Sequence, residues 1–191
     1  MKNKNRILIY FNVFLFLLSP NLFAEPLPGA FSLRLADGYI FFAQKREIKN
    51  TSTPTVELGY EFNEKWGMKI GATAINTDLK NDLTRSGVHG FIYTLNGVYK
   101  FENFRYIEPY ALAGVGIDSL KRHDNSSDPN DEANINAGIG AQFFIDPVIA
   151  LNAEAKDLYT MSGGKNDVML TAGITFYFGG EHPPAPTTYK V

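Results

Sequence analysis

Cysteine is absent from all 191 residues. This removes disulfide scaffolds, thiolate-bound zinc, iron–sulfur clusters, thiol nucleophiles and a lipid-anchored N-terminal cysteine together. An excess of one charge is missing too. Lys and Arg number 18 against 20 Asp and Glu, a formal net charge of −2, so there is no basic field for nucleic acid. With 45% apolar and 20% charged residues the chain is neither disordered nor fibrous. Long apolar runs are lacking beyond the first two dozen residues, where nothing approaches the roughly 18 residues of a membrane-spanning helix. A mean hydropathy of −0.15 leaves a soluble β-rich domain or a membrane β-barrel.

The first segment reads as an address. Lys2, Lys4 and Arg6 precede an apolar run, Ile7 to Leu18, broken only by Asn12, and then come Ser19, Pro20 and the small residue Ala24. A basic start, an apolar stretch and a small-residue cut site make a secretory signal. A run near twelve residues is short of the roughly 20 that a spanning helix needs. The organisation expected is therefore a signal peptide over 1–24, one domain over 25–180 and a Pro-rich, hinge-like tail over 181–191. Cleavage near Ala24 removes three bases and no acids, leaving a mature net charge of −5.

The domain repeats a period of two, the mark of half-buried strands. In Ala133 to Phe144, Ile135, Ala137, Ile139, Ala141 and Phe143 oppose Asn134, Asn136, Gly138, Gly140 and Gln142. The same alternation runs through Thr55–Phe62, Trp66–Ile75, His89–Phe101, Val148–Leu158 and Asp167–Phe178. Phe31–Phe42 follows it as far as Asp37-Gly38, where a bulge or kink is expected. Tyr106–Asp118 is rich in Gly and Ala, with Ala111, Ala113, Val115 and Ile117 on the apolar face. These segments give about eight strands, most near the 9–11 residues that cross a bilayer when tilted.

Connections alternate in length. Gln44–Pro54, Asn76–Val88, Leu120–Glu132 and Tyr159–Asn166 are long; Asn63–Lys65, Glu102–Arg105 and Ile145–Pro147 are short. A soluble sandwich has no reason for this, whereas an outer-membrane barrel keeps short turns in the periplasm and long loops outside. The polar faces carry mostly Gly, Thr and Asn, which suit a narrow lumen. Trp66, Phe91, Phe101, Tyr159, Tyr177 and Phe178 stand near strand ends, where girdle aromatics belong. The fold expected is all-β: an eight-stranded antiparallel up-and-down transmembrane β-barrel with short periplasmic turns and long extracellular loops.

In such a barrel, parity sends Arg34, Glu57, Glu61, Lys69, Lys100, Glu154 and Lys156 inward. Buried charges need partners, because an unpaired one costs several kcal/mol. Arg34 and Lys69, on strands flanking Glu57 and Glu61, are the expected members of a salt-bridge ladder that plugs the barrel. An eight-stranded interior is about wide enough to be filled by its own side chains.

The stretches Ile107-Glu108-Pro109-Tyr110-Ala111-Leu112-Ala113-Gly114-Val115-Gly116 and Asn136-Ala137-Gly138-Ile139-Gly140-Ala141-Gln142-Phe143-Phe144, with Leu151 to Tyr159 after them, resemble the N-terminal barrel of the outer-membrane protein A (OmpA)/porin F family. The resemblance covers about Ala30 to Gly180. It implies a structural protein in the outer membrane of a Gram-negative bacterium, among outer-membrane lipid and lipopolysaccharide, with loops facing the medium. Thr171, Gly173, Phe176 and Phe178 resemble the signal read by the barrel-assembly machinery. Pro183, Pro184 and Pro186 resemble the hinge that in larger relatives leads to a peptidoglycan-binding domain; eleven residues after Gly180 cannot hold one, so peptidoglycan binding is not expected of this stretch. Ser32-Leu33-Arg34-Leu35 and Glu57-Leu58-Gly59-Tyr60 are also compatible with the outer-membrane protein W (OmpW) family, and a small channel or carrier for small or apolar solutes is the alternative reading.

No catalytic, cofactor or metal site is expected. His89, His123 and His182 stand at a strand start, in a polar loop and in the tail, none beside a rigidly held nucleophile. Asp124, Asp128, Asp131 and Glu132 lack calcium-loop spacing and read as a solvated loop. Asn50-Thr51-Ser52 and Asn125-Ser126-Ser127 match glycosylation triplets only formally.

Overall fold

Successive side chains of a strand point to opposite faces, and closing the sheet turns one face into a lumen and the other into an outer wall. The computed structural model describes residues 28–80, 87–102, 107–122, 131–162 and 164–180. The segments assigned to the signal peptide and the tail lie outside these residues. Among the described residues nine strands form one antiparallel sheet: β1 (Ala30–Phe41), β2 (Thr51–Ser52), β3 (Thr55–Glu61), β4 (Trp66–Asp78), β5 (Gly87–Lys100), β6 (Ile107–Arg122), β7 (Asp131–Asp146), β8 (Ile149–Thr160) and β9 (Lys165–Gly179). β1 closes on β9 without interruption from Ala30↔Gly179 to Phe41↔Val168, so no edge is left to pair with another chain.

β2 stands in line with β3. Tyr39 faces Ser52 and Ala36 faces Thr55 in one unchanged register along β1. The wall therefore has eight staves, the second broken at Thr53-Pro54. This corrects the kink expected at Asp37-Gly38: β1 keeps its phase, with Tyr39 and Phe41 outward and Ile40 buried. The break lies opposite, where Pro54 has no N–H to donate to a ladder. Strands also run further into the connections than alternation alone marks. β6 and β7 reach 16 residues each, and the long connection expected over Tyr159–Asn166 is shorter, since β8 runs to Thr160 and β9 starts at Lys165, just after Gly164 at φ +58°.

Short turns and the two ends of the barrel share one rim. Asn63 Oδ1 accepts from the amides of Lys65 (2.9 Å) and Trp66 (2.8 Å), closing the β3–β4 turn. The Gly29 amide donates to Glu61 carbonyl oxygen beside it. The loop rim lies at the other end.

Burial settles which face is which. Ile139 is 67% exposed, Phe31 61% and Leu58 57%, whereas Arg34, Glu57 and Lys100 are each 2% exposed. A water-soluble sandwich would bury the first set and expose the second. Wrapping this wall in hydrocarbon reconciles both, since outward apolar residues then meet lipid and backbone groups are satisfied between strands. Among the described residues no helix is long and apolar enough to cross a membrane. The strands cross instead.

Candidate functional site: the ion-paired lumen

The lumen is filled in layers. At the short-turn end Ala30, Phe144, Ala150 and Tyr177 pack together. Tyr177, expected among the girdle aromatics, instead has the inward parity of β9: its hydroxyl donates to Gln142 Oε1 at 2.8 Å, and Gln142 Nε2 donates to Glu108 Oε1 at 2.5 Å. Lys100 Nζ lies 2.6 Å from Glu61 Oε2.

The middle layer holds the densest network. Arg34 Nη1 donates to Glu57 Oε2 at 2.9 Å, its Nη2 to Thr171 Oγ1 at 2.8 Å and its Nε to Asn152 Oδ1 at 2.5 Å. Lys156 Nζ sits 3.1 Å from Glu154 Oε1 and 3.5 Å from Glu57 Oε1. Lys69 Nζ is 3.8 Å from Glu154 Oε2 and 4.3 Å from the centre of the Tyr110 ring, a cation–π contact. The Tyr110 hydroxyl donates to the same Glu154 Oε2 at 2.9 Å. The ring reaches it by lying across Gly140, which faces Tyr110 on one side and Glu154 on the other. A Cβ at Gly140 would collide with that ring.

All seven parity-assigned residues thus face the lumen, but the partners differ from the expected ladder. Arg34 meets Glu57. Lys69 meets neither Glu57 nor Glu61; it reaches Glu154 on β8, and Glu61 goes to Lys100 on β5. Barrel closure sets this, because β4 and β8 stand four staves apart in an eight-stave ring and so face each other directly.

The loop end carries a second charge cluster. A 3-10 turn, Gln44–Arg46, follows β1 and folds back over the lumen. Arg46, 3% exposed, places Nη2 2.7 Å from Asp118 Oδ2, Nη1 3.0 Å from Glu132 Oε2 and Nε 2.7 Å from Asp167 Oδ2. Lys165 Nζ joins Glu132 at 2.9 Å. Glu132, expected in a solvated loop, is instead buried at the start of β7, because that strand begins earlier than its clear alternation. Asp131 beside it is exposed, and Asp124 and Asp128 lie outside the described residues. Asn50 is engaged as well: its Oδ1 accepts from the Phe42 amide at 3.1 Å. Beside the charges, Ile40, Phe42, Ile48, Ile75, Val88, Ile92, Leu120, Leu158 and Met169 form an apolar core inside the barrel.

Strand parity could have found Asp118 and Asp167, each next to an outward residue already assigned (Ile117, Val168). Arg46 has no periodic signal around it. Of the residues matched to the assembly signal, Thr171 points into the lumen beside Arg34, Gly173 packs against Ala36, and Phe176 and Phe178 lie on the outer face of the closing strand. His89 is exposed on β5; His123 and His182 are outside the described residues. Among the described residues no group of three or more His, Cys, Asp or Glu is arranged to hold a metal ion. On the lipid face a groove of about 620 Å³ runs over Ala141, Ala153, Ala155 and Ala172, with Asp37 at its edge.

The family described as outer membrane protein beta-barrel domain matches residues 18–179. No curated protein matches the chain. Among solved structures, the N-terminal β-barrel domain of Pseudomonas aeruginosa OprF aligns with a TM-score of 0.58 and 17% identity, over 80% of this chain and 99% of that one. Neisserial surface protein A aligns with a TM-score of 0.60 and 15% identity, over 81% and 100%. Pseudomonas aeruginosa OprG aligns at 0.58 and 14%, over 82% and 99%. At these identities the likeness is one of fold.

Proposed function

The chain belongs to the outer membrane protein beta-barrel domain family, and we propose that within the Gram-negative outer membrane it is a closed structural barrel that anchors in lipid and presents its loops to the medium. The observation that carries this reading is the filled lumen. Contacts cross the lumen, from Lys69 of β4 to Glu154 of β8 and from Lys156 of β8 to Glu57 of β3. Opposite charges are closely matched: Arg34, Lys69, Lys100 and Lys156 lie among Glu57, Glu61, Glu108 and Glu154. Such a network obstructs an aqueous path, with each of these four cations within 4.0 Å of a carboxylate.

The reading is non-enzymatic. Its supporting observation is that the carboxylate at the centre of the lumen, Glu154, is engaged by Lys69, Lys156 and Tyr110. Outer-membrane lipid and lipopolysaccharide are the partners proposed for the apolar outer band, and the barrel-assembly machinery for the closing strand. Purified full-length protein in planar bilayers should show no large steady conductance, and a folded barrel should migrate differently on a detergent gel before and after heating. A reproducible open pore overturns the closed-barrel reading.

A second reading, a carrier for small apolar solutes, draws support from the apolar upper lumen around Ile92, Leu120 and Leu158. Faster uptake of an apolar solute into liposomes bearing the protein, without ionic conductance, would favour it.

A further inference from the structure

Between β1 and β2 the chain could loop into solvent, and it does not. Gln44, Lys45, Glu47 and Lys49 are exposed, while Phe42, Arg46 and Ile48 are buried in the barrel mouth. One flank of this segment is stitched to the outer end of β4. Ile48 bridges Leu79, the Lys49 amide donates to Asp78 carbonyl oxygen at 2.9 Å, and the Lys80 amide donates to Glu47 carbonyl oxygen at 2.7 Å. The other flank faces β6 to β9. There the Ala43 amide donates to Asp167 Oδ1 at 2.8 Å, and Arg46 carries the ionic contacts to Asp118, Glu132 and Asp167 together with a hydrogen bond to Thr160 Oγ1 at 2.5 Å.

The cage around that guanidinium is unfavourable without it. Asp118 and Glu132 face each other directly across β6 and β7, and like charges opposed in a sheet repel; Lys165 offsets Glu132, whereas Asp118 and Asp167 take their charge partner from Arg46. Asp167 adds a third carboxylate, 1% exposed. Three inward carboxylates and a hydroxyl match the several donors of a planar guanidinium, whose fork geometry an ammonium lacks.

We propose that Arg46 is a built-in guanidinium ligand that latches the 42–50 segment into the mouth of the barrel, and that the cage of Asp118, Glu132, Asp167 and Thr160 accepts a soluble alkylguanidinium when that side chain is removed. The inference goes beyond the closed-barrel reading, since the latch works at the mouth whether or not the lower lumen conducts.

The cysteine-free chain supplies the test. A single thiol at Ile48→Cys, in full-length protein folded in liposomes and checked by its heat-modifiable shift, reports whether the segment is seated. With Arg46 present, a charged thiol reagent should label it slowly. In Ile48→Cys/Arg46→Ala, labelling should quicken by about tenfold or more, because stripping one partner from a buried ionic cluster shifts an equilibrium at least that far. Methylguanidinium at millimolar concentration should restore protection, and tetramethylammonium at the same concentration should not. Unchanged labelling in the double variant overturns the latch; equal action of the two cations overturns the guanidinium site. Should the thiol variants fail to fold, Arg46→Ala alone can be compared with the parent for tryptic cleavage after the exposed Lys45 and Lys49. Faster cleavage that methylguanidinium suppresses supports the proposal, and equal cleavage overturns it.

Discussion

Lys69 and Glu154 meet across the full width of the barrel, Nζ to Oε2 at 3.8 Å, one from β4 and one from the opposite stave β8. Neither is a neighbour of the other in any ladder. Their contact shows that the lumen is a packed interior whose contents hold opposite walls together.

The middle layer should therefore behave as a unit. Arg34→Met leaves Glu57 without its 2.9 Å partner and frees Asn152 and Thr171. Breaking one side of a buried ion pair costs about 3–5 kcal/mol, so unfolding in lipid bilayers should shift to markedly lower urea. Adding Glu57→Leu should recover much of that loss, since an apolar pair of similar volume is often neutral against a buried ion pair. A double variant no better than the single one would mean that the network does not act through charge pairing.

Gly140 and Gly97 make a contrasting pair. At Gly140 a methyl would collide with the Tyr110 ring that bonds Glu154, whereas at Gly97 the nearest atom, Ala113 carbonyl oxygen, is 3.9 Å away. Gly140→Ala should cost about 1–3 kcal/mol by overpacking, and Gly97→Ala should be tolerated. Urea midpoints of the two variants, measured side by side, decide it.

Asp37 faces outward from the middle of β1, opposite Ala172 of β9, and its Oδ1 accepts from the Gly38 amide at 2.7 Å. A carboxylate toward lipid is unfavourable, though less so than Lys or Arg. Asp37→Leu should raise stability in bilayers by about 1 kcal/mol. A loss of stability would show that the Asp37–Gly38 bond matters more to β1 than its exposure costs.

Phe178 lies on the outer face at the short-turn end, opposite Phe31, and is 55% exposed. Phe178→Asp places a charge at an interface, where the folded-state cost is only about 0–1 kcal/mol. If Phe178 also belongs to an assembly signal, the level of protein in the outer membrane should fall by more than the change in urea midpoint accounts for. Equal levels of variant and parent count against that role.

Alternation alone was enough to sort the wall. Because side chains repeat every two residues along a strand, Leu58 and Ile139 outward and Glu57 and Lys100 inward were legible before any coordinate. So was closure into a barrel, since a face of Gly, Thr and Asn suits a narrow interior better than open water. Parity names a face and is silent about partners. Arg34 found Glu57 because their strands are neighbours in sequence and in space, and the pair stands in register. Lys69 found Glu154 only because an eight-stave ring brings its third and seventh staves face to face. The Asp37-Gly38 break was misplaced by one stave for a related reason: the missing donor belongs to Pro54, and pairing alone shows which strand it interrupts.

What the sequence by itself determined is the inside and outside of each strand, through a local period set by backbone geometry. What only the tertiary structure decided is who meets whom across the lumen, and above all the place of Arg46. Nothing in a polar connection marks one arginine for burial. Three carboxylates at the ends of β6, β7 and β9 converge only when the barrel closes, and the guanidinium from the 3-10 turn, with Lys165 beside Glu132, relieves their mutual repulsion.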